Sequence, residues 1–338
     1  MYGQDNNITH WAKRMPKIEL HCHLDGSIPL WLLRELGEKA GLSLPEKDEE
    51  LRTMAQAGEE VQSLAEYLKC FELPLKCLQT EESFYQAAYH IGKDCAGENI
   101  KYMELRFAPL LSEGEKLPAE SVIEAAAAGC EAAYRDHGIR MQLLLCGMRH
   151  FPLRQNLRTL ELASAYLGKG VCGADLAGDE AAWPNEQFSE YFQEAGRRNL
   201  PLTIHAGECR RAENIKLAVE GGAGRIGHGI AMKGNTELEM LCRERKTGIE
   251  LCYKSNLQTK AAENGVCYPL REFLEKGLLV TVNTDNRTVT GTTLSAELMQ
   301  MEKALGLTEQ EGILLMRNAA KVCFAPEGVK RELLKAYA

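Results

Sequence analysis

Short polar motifs recur along this 338-residue chain, and they contain side chains of the kinds that hold metal ions and move protons. Most of them end a short apolar run of the kind that forms a strand. The motifs are His21-Cys22-His23, Leu24-Asp25-Gly26-Ser27, Asp175-Leu176-Ala177-Gly178, His205-Ala206-Gly207-Glu208, Gly227-His228-Gly229, Ser255-Asn256 and Thr284-Asp285-Asn286. A chain that repeats His, Glu and Asp at successive strand ends is predicted to build one shared site.

Two histidines in the first motif are separated by one residue, so alternation along a strand points both side chains to the same face. Alone, a His-x-His pair is a weak signal that also fits two solvated histidines on an edge strand. A later strand ends in a third imidazole, and a carboxylate at the rim of the last apolar strand would be costly without a cation. Three imidazoles and one carboxylate suit a single Zn²⁺ with one position open for water. The predicted ligands are His21, His23, His205 and Asp285.

Two further residues are candidates for proton transfer. Glu208 follows His205 by three residues and is predicted to stand beside the metal without binding it. A helix-capping carboxylate is the alternative, but Gly207 favours close approach of a ligand to the backbone. His228 lies between two glycines, which indicates a buried ring, although a core histidine with one hydrogen bond also fits. Bound zinc lowers the pKa of water from about 16 to about 7, which provides hydroxide at neutral pH. No lysine ends the fourth strand, so a carbamate bridge between two metals is not expected.

The elements that must position these residues are eight short apolar runs separated by helical patterns. This alternation predicts an α/β fold, a closed (β/α)8 TIM barrel formed by residues 1–338 as one domain. An open doubly wound sheet is the alternative, but the first strand is not followed by the glycine-rich turn of that fold. The predicted strands are residues 17–25, 101–109, 140–149, 171–178, 200–208, 225–230, 248–256 and 278–286.

The connection between the first two predicted strands is far longer than the usual two to six residues. Residues 28–100 are therefore predicted to form a helical lid insertion, with helices near 30–40, 61–73 and 82–96. Apolar residues spaced i, i+3, i+4 and i+7 within it fit equally a helix docked on the core and a helix that roofs a pocket. These residues are Leu64, Tyr67, Leu68 and Phe71.

Composition narrows the class of protein. The net charge of −8 argues against nucleic-acid binding, which relies on a basic face. No apolar stretch is long enough to span a membrane, and the N-terminal residues lack the apolar core of a signal peptide. The 12 cysteines are scattered without a Cys-x-x-Cys motif, which predicts a reducing compartment, the cytoplasm. Cys22, Cys209 and Cys252 adjoin site residues and are expected to pack rather than to bind metal.

As a set, the motifs resemble the adenosine deaminase family of metal-dependent barrel hydrolases, over nearly the whole chain. The resemblance covers residues 16–27, 63–80, 101–109, 175–180, 205–208, 225–229, 255–259 and 283–285. It implies hydrolytic deamination of adenosine and 2′-deoxyadenosine to inosine and 2′-deoxyinosine, with release of ammonia, in purine salvage. The expected partner is thus a small purine nucleoside.

The resemblance also implies a role for individual residues. The four predicted ligands would hold Zn²⁺, and Glu208 would give a proton to purine N1. His228 would orient the attacking water and help to deprotonate it, assisted by Asp285. Gly178 would offer its backbone N–H to purine N3, and Asp25 would bind the ribose hydroxyl side. The gate over the ring would consist of Leu64, Tyr67, Leu68 and Phe71.

Two departures from the family pattern concern the substrate. Asn286 stands where many members have a second Asp that contacts purine N7. An Asp must be protonated to donate there, whereas an amide always has a donor. We therefore expect activity at neutral pH, and little change on the acid side of the pH profile in Asn286→Asp. Tyr253 and Lys254 replace a Cys-Pro stretch and are expected near the pocket rim.

Two alternative functions fit the same motifs. The same chemistry on adenine, on an N6-modified adenine or on a 5′-modified adenosine such as 5′-methylthioadenosine is the first. Asp25 favours a nucleoside, because relatives that act on free adenine usually have Glu there, and no Arg or Lys cluster adjoins the motifs to bind the phosphate of AMP. The second is an inactive nucleoside- or partner-binding protein, which would need neither Glu208 nor His228.

Overall fold

The computed structural model describes residues 10–58, 60–263 and 268–337. Short apolar segments in these ranges form eight strands that are buried along most of their length. One face of each strand points into the barrel, and the other packs against the outer helices. Because both faces are covered, the strands are largely apolar. The strands are β1 Lys17–His23, β2 Ile100–Phe107, β3 Arg140–Met148, β4 Val171–Ala177, β5 Thr203–Ala206, β6 Arg225–His228, β7 Gly248–Leu251 and β8 Leu279–Val282.

The strands pair in parallel and in chain order, as one sheet from β1 to β4 and a second from β5 to β8. Two seams join these sheets. At the first, the Ala174 N–H donates to the Pro201 carbonyl at 3.0 Å. At the second, beyond the end of β8, the Asp285 N–H donates to the His21 carbonyl at 2.8 Å. The eight strands therefore form a closed ring, and the predicted (β/α)8 barrel is confirmed.

Helices of the outer layer follow the strands and cover the ring. Thr80 begins one of them with a capping box, Thr308 begins another in the same way, and Gly138 ends a third in a left-handed conformation. No helix within the described ranges combines the length and apolar character that crossing a bilayer requires. A short α1 Trp11–Arg14 precedes β1; the others are α6 Glu81–Gly97, α7 Ala119–His137, α8 Leu153–Tyr166, α9 Ser189–Arg197, α10 Ala212–Glu220, α11 Thr236–Arg245, α12 Tyr253–Gln258, α13 Leu270–Glu275, α14 Leu294–Leu305, α15 Glu309–Val322 and α16 Glu327–Lys335.

Besides α6, the insertion between β1 and β2 contains four helices: α2 Leu30–Lys39, α3 Asp48–Ala55, α4 Leu64–Tyr67 and α5 Glu72–Cys77. The helix predicted for residues 61–73 is broken, because a 3₁₀ turn, Leu68–Phe71, separates α4 from α5. Helix α6 packs closely along α7 in the outer layer, where a Cβ on Gly129 would lie 2.4 Å from the Tyr85 carbonyl. The prediction that residues 28–100 form one lid within a single domain stays a prediction.

All eight strands end earlier than predicted, and the difference is largest for β7 and β8. β8 ends at Val282, and Asp285 lies in a turn beyond it. The Glu19 carboxylate stabilises this turn by accepting from the Thr284 N–H at 3.0 Å and the Thr284 hydroxyl at 2.8 Å. β7 likewise ends at Leu251, so residues 255 and 256 lie on α12 rather than in the predicted strand 248–256. In both places the chain leaves the ring to form a turn that presents polar side chains at its carboxyl edge.

Candidate active site

Imidazoles and one carboxylate converge at the carboxyl edge of the barrel. His21, His205, His228 and Asp285 each place one potential ligand atom within 4.8 Å of the others. His23 joins this cluster, because its Nε2 lies 3.1 Å from His205 Nε2 and 3.5 Å from Asp285 Oδ1. The structure thus brings together the four residues predicted as metal ligands, and it adds His228 to their immediate surroundings.

Two of the histidines are oriented by carboxylates behind them. His21 Nδ1 lies 2.8 Å from Glu250 Oε2, and His205 Nδ1 lies 2.9 Å from Asp175 Oδ2. With Nδ1 engaged, Nε2 of each ring faces the cluster, as in histidines that bind metal ions. His21 Nε2 is buried and has no hydrogen-bond partner among the described residues. A cation would satisfy this nitrogen, and imidazole with carboxylate is a donor set that zinc accepts. The residues present therefore fit a divalent metal.

Two residues of this cluster have strained backbone conformations. His228 and Asp285 adopt left-handed conformations, with φ of 65° and 59°. Such conformations cost non-glycine residues roughly 1–3 kcal/mol and cluster at functional sites. The backbone near His228 is tightly packed, as expected, but Gly227 accommodates the ring of His21 rather than that of His228. A Cβ at Gly227 would lie 2.9 Å from His21 Cε1.

Glu208 is positioned to exchange protons inside the cavity. Its Oε2 lies 3.6 Å from Nε2 of His228, and both side chains are buried. Burial, and then the negative charges of Asp285 and Glu180, raise the pKa of Glu208 well above its usual value. A carboxyl group in this environment keeps its proton near neutral pH, which is the state that a general acid needs.

Hydrogen bonds on its far side orient the ring of His228. The Tyr268 hydroxyl donates to Asn256 Oδ1 at 2.9 Å, and Asn256 Nδ2 donates to His228 Nδ1 at 2.9 Å. Burial lowers the pKa of His228 well below its usual value, so the imidazole is neutral. A neutral ring whose Nδ1 accepts a hydrogen bond carries its proton on Nε2. On the same helix, the Ser255 hydroxyl donates to Asp285 Oδ2 at 2.5 Å.

The turn that carries Glu208 is held by Glu180, a residue for which the sequence predicted no role. The buried Glu180 carboxylate accepts from the Gly207 N–H at 2.9 Å and also from the Cys209 N–H. It further accepts from Asn214 Nδ2 at 3.0 Å. The two peptide N–H groups belong to the residues on either side of Glu208. The Glu180 carboxylate therefore fixes the backbone conformation of the turn that carries Glu208.

A network of buried charges beneath the site was also missed. Arg106 Nη1 lies 2.9 Å from Asp175 Oδ2, and its Nη2 lies 2.9 Å from Glu250 Oε2. Arg225 joins Glu250 to Glu104, at 2.5 Å from each carboxylate. All five side chains are fully buried. The sequence did contain an indication of this network, since Glu104 and Arg106 occupy alternate positions of an apolar strand. Charges buried in such a strand require partners of opposite charge.

A cavity of about 350 Å³ opens above the cluster. The predicted gate residues line one side, and the predicted catalytic residues line its floor. No Lys or Arg of the described residues lines it. The other predicted contacts also lie on its wall: Asp25, Gly178 and Asn286.

Tyr253 and Lys254 are not at the rim, so that expectation is wrong. Tyr253 is buried, and its ring centroid lies 4.9 Å from that of Tyr268. Lys254 Nζ donates to the Gly291 carbonyl at 2.7 Å. Both residues begin α12, which turns them away from the cavity.

A closed parallel barrel with imidazoles and a carboxylate at its carboxyl edge defines a barrel hydrolase of the metal-dependent class. The sequence model of the family described as adenosine deaminase matches residues 16–337. An adenosine deaminase from Enterococcus faecalis is 39% identical over 322 residues, which are 95% of this chain and 96% of that protein. The chain belongs to the adenosine deaminase family, which confirms the resemblance seen in the sequence.

Solved structures extend the comparison. Adenine deaminase from Arthrobacter aurescens has a TM-score of 0.87 at 26% identity, covering 96% of this chain and 98% of that one. The N6-mAMP deaminase of Arabidopsis has a TM-score of 0.84 at 28% identity, covering 97% of this chain and 98% of that one. These proteins share the barrel, and their substrates differ.

Proposed function

We propose that this protein deaminates adenosine and 2′-deoxyadenosine by hydrolysis. Water adds to C6 of the purine, the bond from C6 to the exocyclic nitrogen breaks, and ammonia leaves with formation of inosine or 2′-deoxyinosine. The observation that carries the proposal is the position of Glu208 and neutral His228 beside a ligand cluster, on the floor of one cavity. The relatives named adenosine deaminase support the same reaction.

The cluster offers two ligand sets, which differ in His23 and His228. We assign His23, because its Nε2 faces that of His205 at 3.1 Å and the Nδ1 of His228 accepts from an amide. A ring with its proton on Nε2 has no lone pair there for a metal. When bound, a divalent ion such as Zn²⁺ supplies Lewis acidity that lowers the pKa of a water molecule. The proposed ligands for one ion per chain are His21, His23, His205 and Asp285.

The proposed proton transfers use the protonation states that the structure favours. Glu208, with its raised pKa, gives its proton to ring nitrogen N1, which makes the adjacent C6 electrophilic. The Nε2–H of His228 donates to the attacking oxygen and orients it. The Asp285 carboxylate, which His21 contacts at 3.4 Å, accepts the proton that the water loses and passes it to the amino nitrogen, which leaves as ammonia; the remaining hydroxyl proton on C6 returns to Glu208 as the carbonyl forms. His228 therefore orients more than it deprotonates.

The lining of the cavity favours a nucleoside over a nucleotide. Two carboxylates, Asp25 and Asp179, lie on its wall, and no cation of the described residues does. A phosphate group would lack its usual partners there. Free adenine, the substrate named for the Arthrobacter aurescens protein, remains the second candidate. We propose that Asp25 meets the ribose, Gly178 meets N3 and Asn286 meets N7.

The test is the loss of adenosine absorbance on metal-loaded protein, with adenosine, 2′-deoxyadenosine, 5′-methylthioadenosine and adenine compared in parallel. We expect fast turnover of the first two. Glu208→Gln should lower turnover by about 10²- to 10⁴-fold and leave metal content and inosine binding intact. Turnover of adenine alone would assign the second candidate. A metal-loaded protein that turns over none of them would be a binding protein, and the proposal would fail.

We also propose that the protein works in the cytoplasm. The described cysteines are free thiols, and most of them are buried. Cys22 packs in the main apolar core, as expected, and its Sγ lies 3.2 Å from the Ser27 hydroxyl. Cys267 lies outside the described residues. Free thiols on this scale are typical of proteins kept in reducing compartments.

A further inference from the structure

The gate residues differ in how firmly they are held. Tyr67 is buried, with 2% of its surface exposed, whereas the other three are partly exposed. Its ring packs in a small apolar cluster with Ala57, Val61 and Val289, separate from the main core. Val289 lies in the segment that follows β8, so this cluster joins the insertion to the turn that carries Asp285. The ring of Tyr67 is thus a direct link between lid and barrel.

The hydroxyl group of Tyr67 adds hydrogen bonds to this link. Asn286 Nδ2 donates to the Tyr67 hydroxyl at 2.9 Å. The same hydroxyl lies 2.6 Å from the Thr290 hydroxyl. A phenolic oxygen can accept one hydrogen bond while it takes part in a second, so the three groups form a continuous chain. A phenylalanine at position 67 would keep the packing and lose both bonds.

The orientation of the Asn286 amide follows from its surroundings. Its Oδ1 is buried and has no hydrogen-bond partner in the described parts of the chain, and a Cβ on Gly26 would come within 1.9 Å of it. The reversed amide would leave the NH₂ group at that place, and buried N–H groups without partners are rarer than carbonyls without partners. Asn286 also lines the cavity. Since Oδ1 is turned to Gly26, Nδ2 is its polar atom on the side of Tyr67 and the cavity.

We propose that Tyr67 is a positioning residue that couples lid closure to substrate recognition. Its hydroxyl accepts one N–H of Asn286 and thereby aims the other N–H at an acceptor nitrogen of the bound ring. Through Thr290, the same hydroxyl ties the lid to the segment after β8. The recognition half rests on the proposed function, because it needs a purine with an acceptor at N7. The tether, which is the hydrogen bond between Tyr67 and Thr290, does not depend on the substrate and can be tested on the ligand-free protein.

Hydrogen exchange of the ligand-free protein tests the tether. In Tyr67→Phe and in Thr290→Val, we expect peptides covering residues 60–71 to exchange about 5- to 30-fold faster than in the wild type, as for the loss of one buried hydrogen bond. Thr290→Ser keeps the hydroxyl and should exchange like the wild type. Tyr337→Phe is the matched control, because it removes a hydroxyl that binds the Pro16 carbonyl far from the lid. Unchanged exchange in both tether variants would overturn the proposal.

Binding of inosine and 7-deazainosine tests the recognition half, since the second ligand has carbon in place of N7. We expect the wild type to prefer inosine and Tyr67→Phe to lose about tenfold of this preference, with 7-deazainosine affinity little changed. An unchanged ratio in Tyr67→Phe would overturn the positioning role. If the wild type binds neither nucleoside, the proposed function fails instead, and the exchange experiment alone decides the tether.

Discussion

Oδ2 of Asp175 lies 2.9 Å from Nδ1 of His205; the Asp175 side chain is fully buried and that of His205 nearly so. Arg106 Nη1 donates to the same oxygen at 2.9 Å. Burial opposes ionisation of this carboxyl, but the charge of Arg106 and the hydrogen bond from His205 outweigh it and hold its pKa below the usual range. Asp175 therefore stays a carboxylate that fixes the tautomer of His205 and turns Nε2 toward the other ligands.

We predict that Asp175→Asn weakens zinc affinity by about 10- to 100-fold, because the histidine loses its orienting charge while Arg106 keeps an oxygen acceptor. Competition with a chelator of known affinity, on protein checked for folding by circular dichroism, measures this. Asp179→Asn serves as the control, since Asp179 follows the same strand and lines the cavity without contacting a proposed ligand. Equal affinities in the wild type and Asp175→Asn would show that His205 needs no such partner.

Glu180 leads to a second prediction, which separates turn geometry from metal binding. A glutamine there has one acceptor oxygen, so the Gly207 or Cys209 N–H would lose its partner. We expect Glu180→Gln to lower kcat by about 100-fold through displacement of Glu208, with metal content unchanged. Glu186→Gln is the matched control, because Glu186 is exposed and contacts only Arg211 among its described ion-pair partners. A normal kcat in Glu180→Gln would remove its positioning role.

The parts of the fold that could be predicted are those in which neighbours in sequence carry the information. Alternation of side chains along a strand predicted that His21 and His23 share one face of β1. The loop-forming residues after an apolar run predicted that His205 lies near the end of β5. Local signals were also available where the prediction was wrong. Ser63 caps α4 by accepting from the Glu66 N–H, and Pro74 lies in the first turn of α5, where proline is tolerated. Both mark helix starts that divide the segment 61–73.

Long-range pairing could not be predicted in the same way. The bond between His21 and Glu250 joins β1 to β7, across 229 positions of sequence. Spacing along the chain gives no indication of which inward charges meet across a ring. Likewise, Asn286 was expected to meet only the substrate, and its bond to Tyr67 follows from the lid folding back on the segment after β8. Such partners depend on tertiary packing, which short motifs do not encode.

Gly26 gives a third prediction, about the wall beside Asn286. A Cβ there would lie 1.9 Å from Asn286 Oδ1 and 2.9 Å from its Cβ, so the whole side chain would have to move. We expect Gly26→Ala to destabilise the protein by about 1–3 kcal/mol and to raise KM for adenosine. Urea denaturation and steady-state kinetics measure the two effects. Gly97→Ala, at an open position on α6, is the control and should be neutral or stabilising. A wild-type KM in Gly26→Ala would contradict this account of the wall.

Glu297 on α14 leads to the last prediction, which concerns stability rather than catalysis. Its buried carboxyl accepts from the Thr292 hydroxyl at 2.7 Å and from the Lys254 N–H at 3.1 Å. Burial raises the pKa of Glu297 to about 7, from an ordinary value of 4.5. Between these two pH values the folded state binds more protons than the unfolded state, so the free energy of unfolding falls as pH rises through that window.

Above pH 7 the ionised Glu297 therefore lowers the free energy of unfolding by an amount on the order of 3 kcal/mol. Glu297→Gln stays neutral, and its amide can still bond to Thr292. We expect the variant to unfold at higher urea concentration than the wild type at pH 8, with the difference shrinking toward pH 5. Urea denaturation of both proteins at intervals of pH from 5 to 8 measures this, with the exposed Glu327→Gln as control. If the free energies of unfolding of the wild type and Glu297→Gln differ by the same amount at every pH from 5 to 8, Glu297 does not titrate in that range, since every other group is common to both proteins.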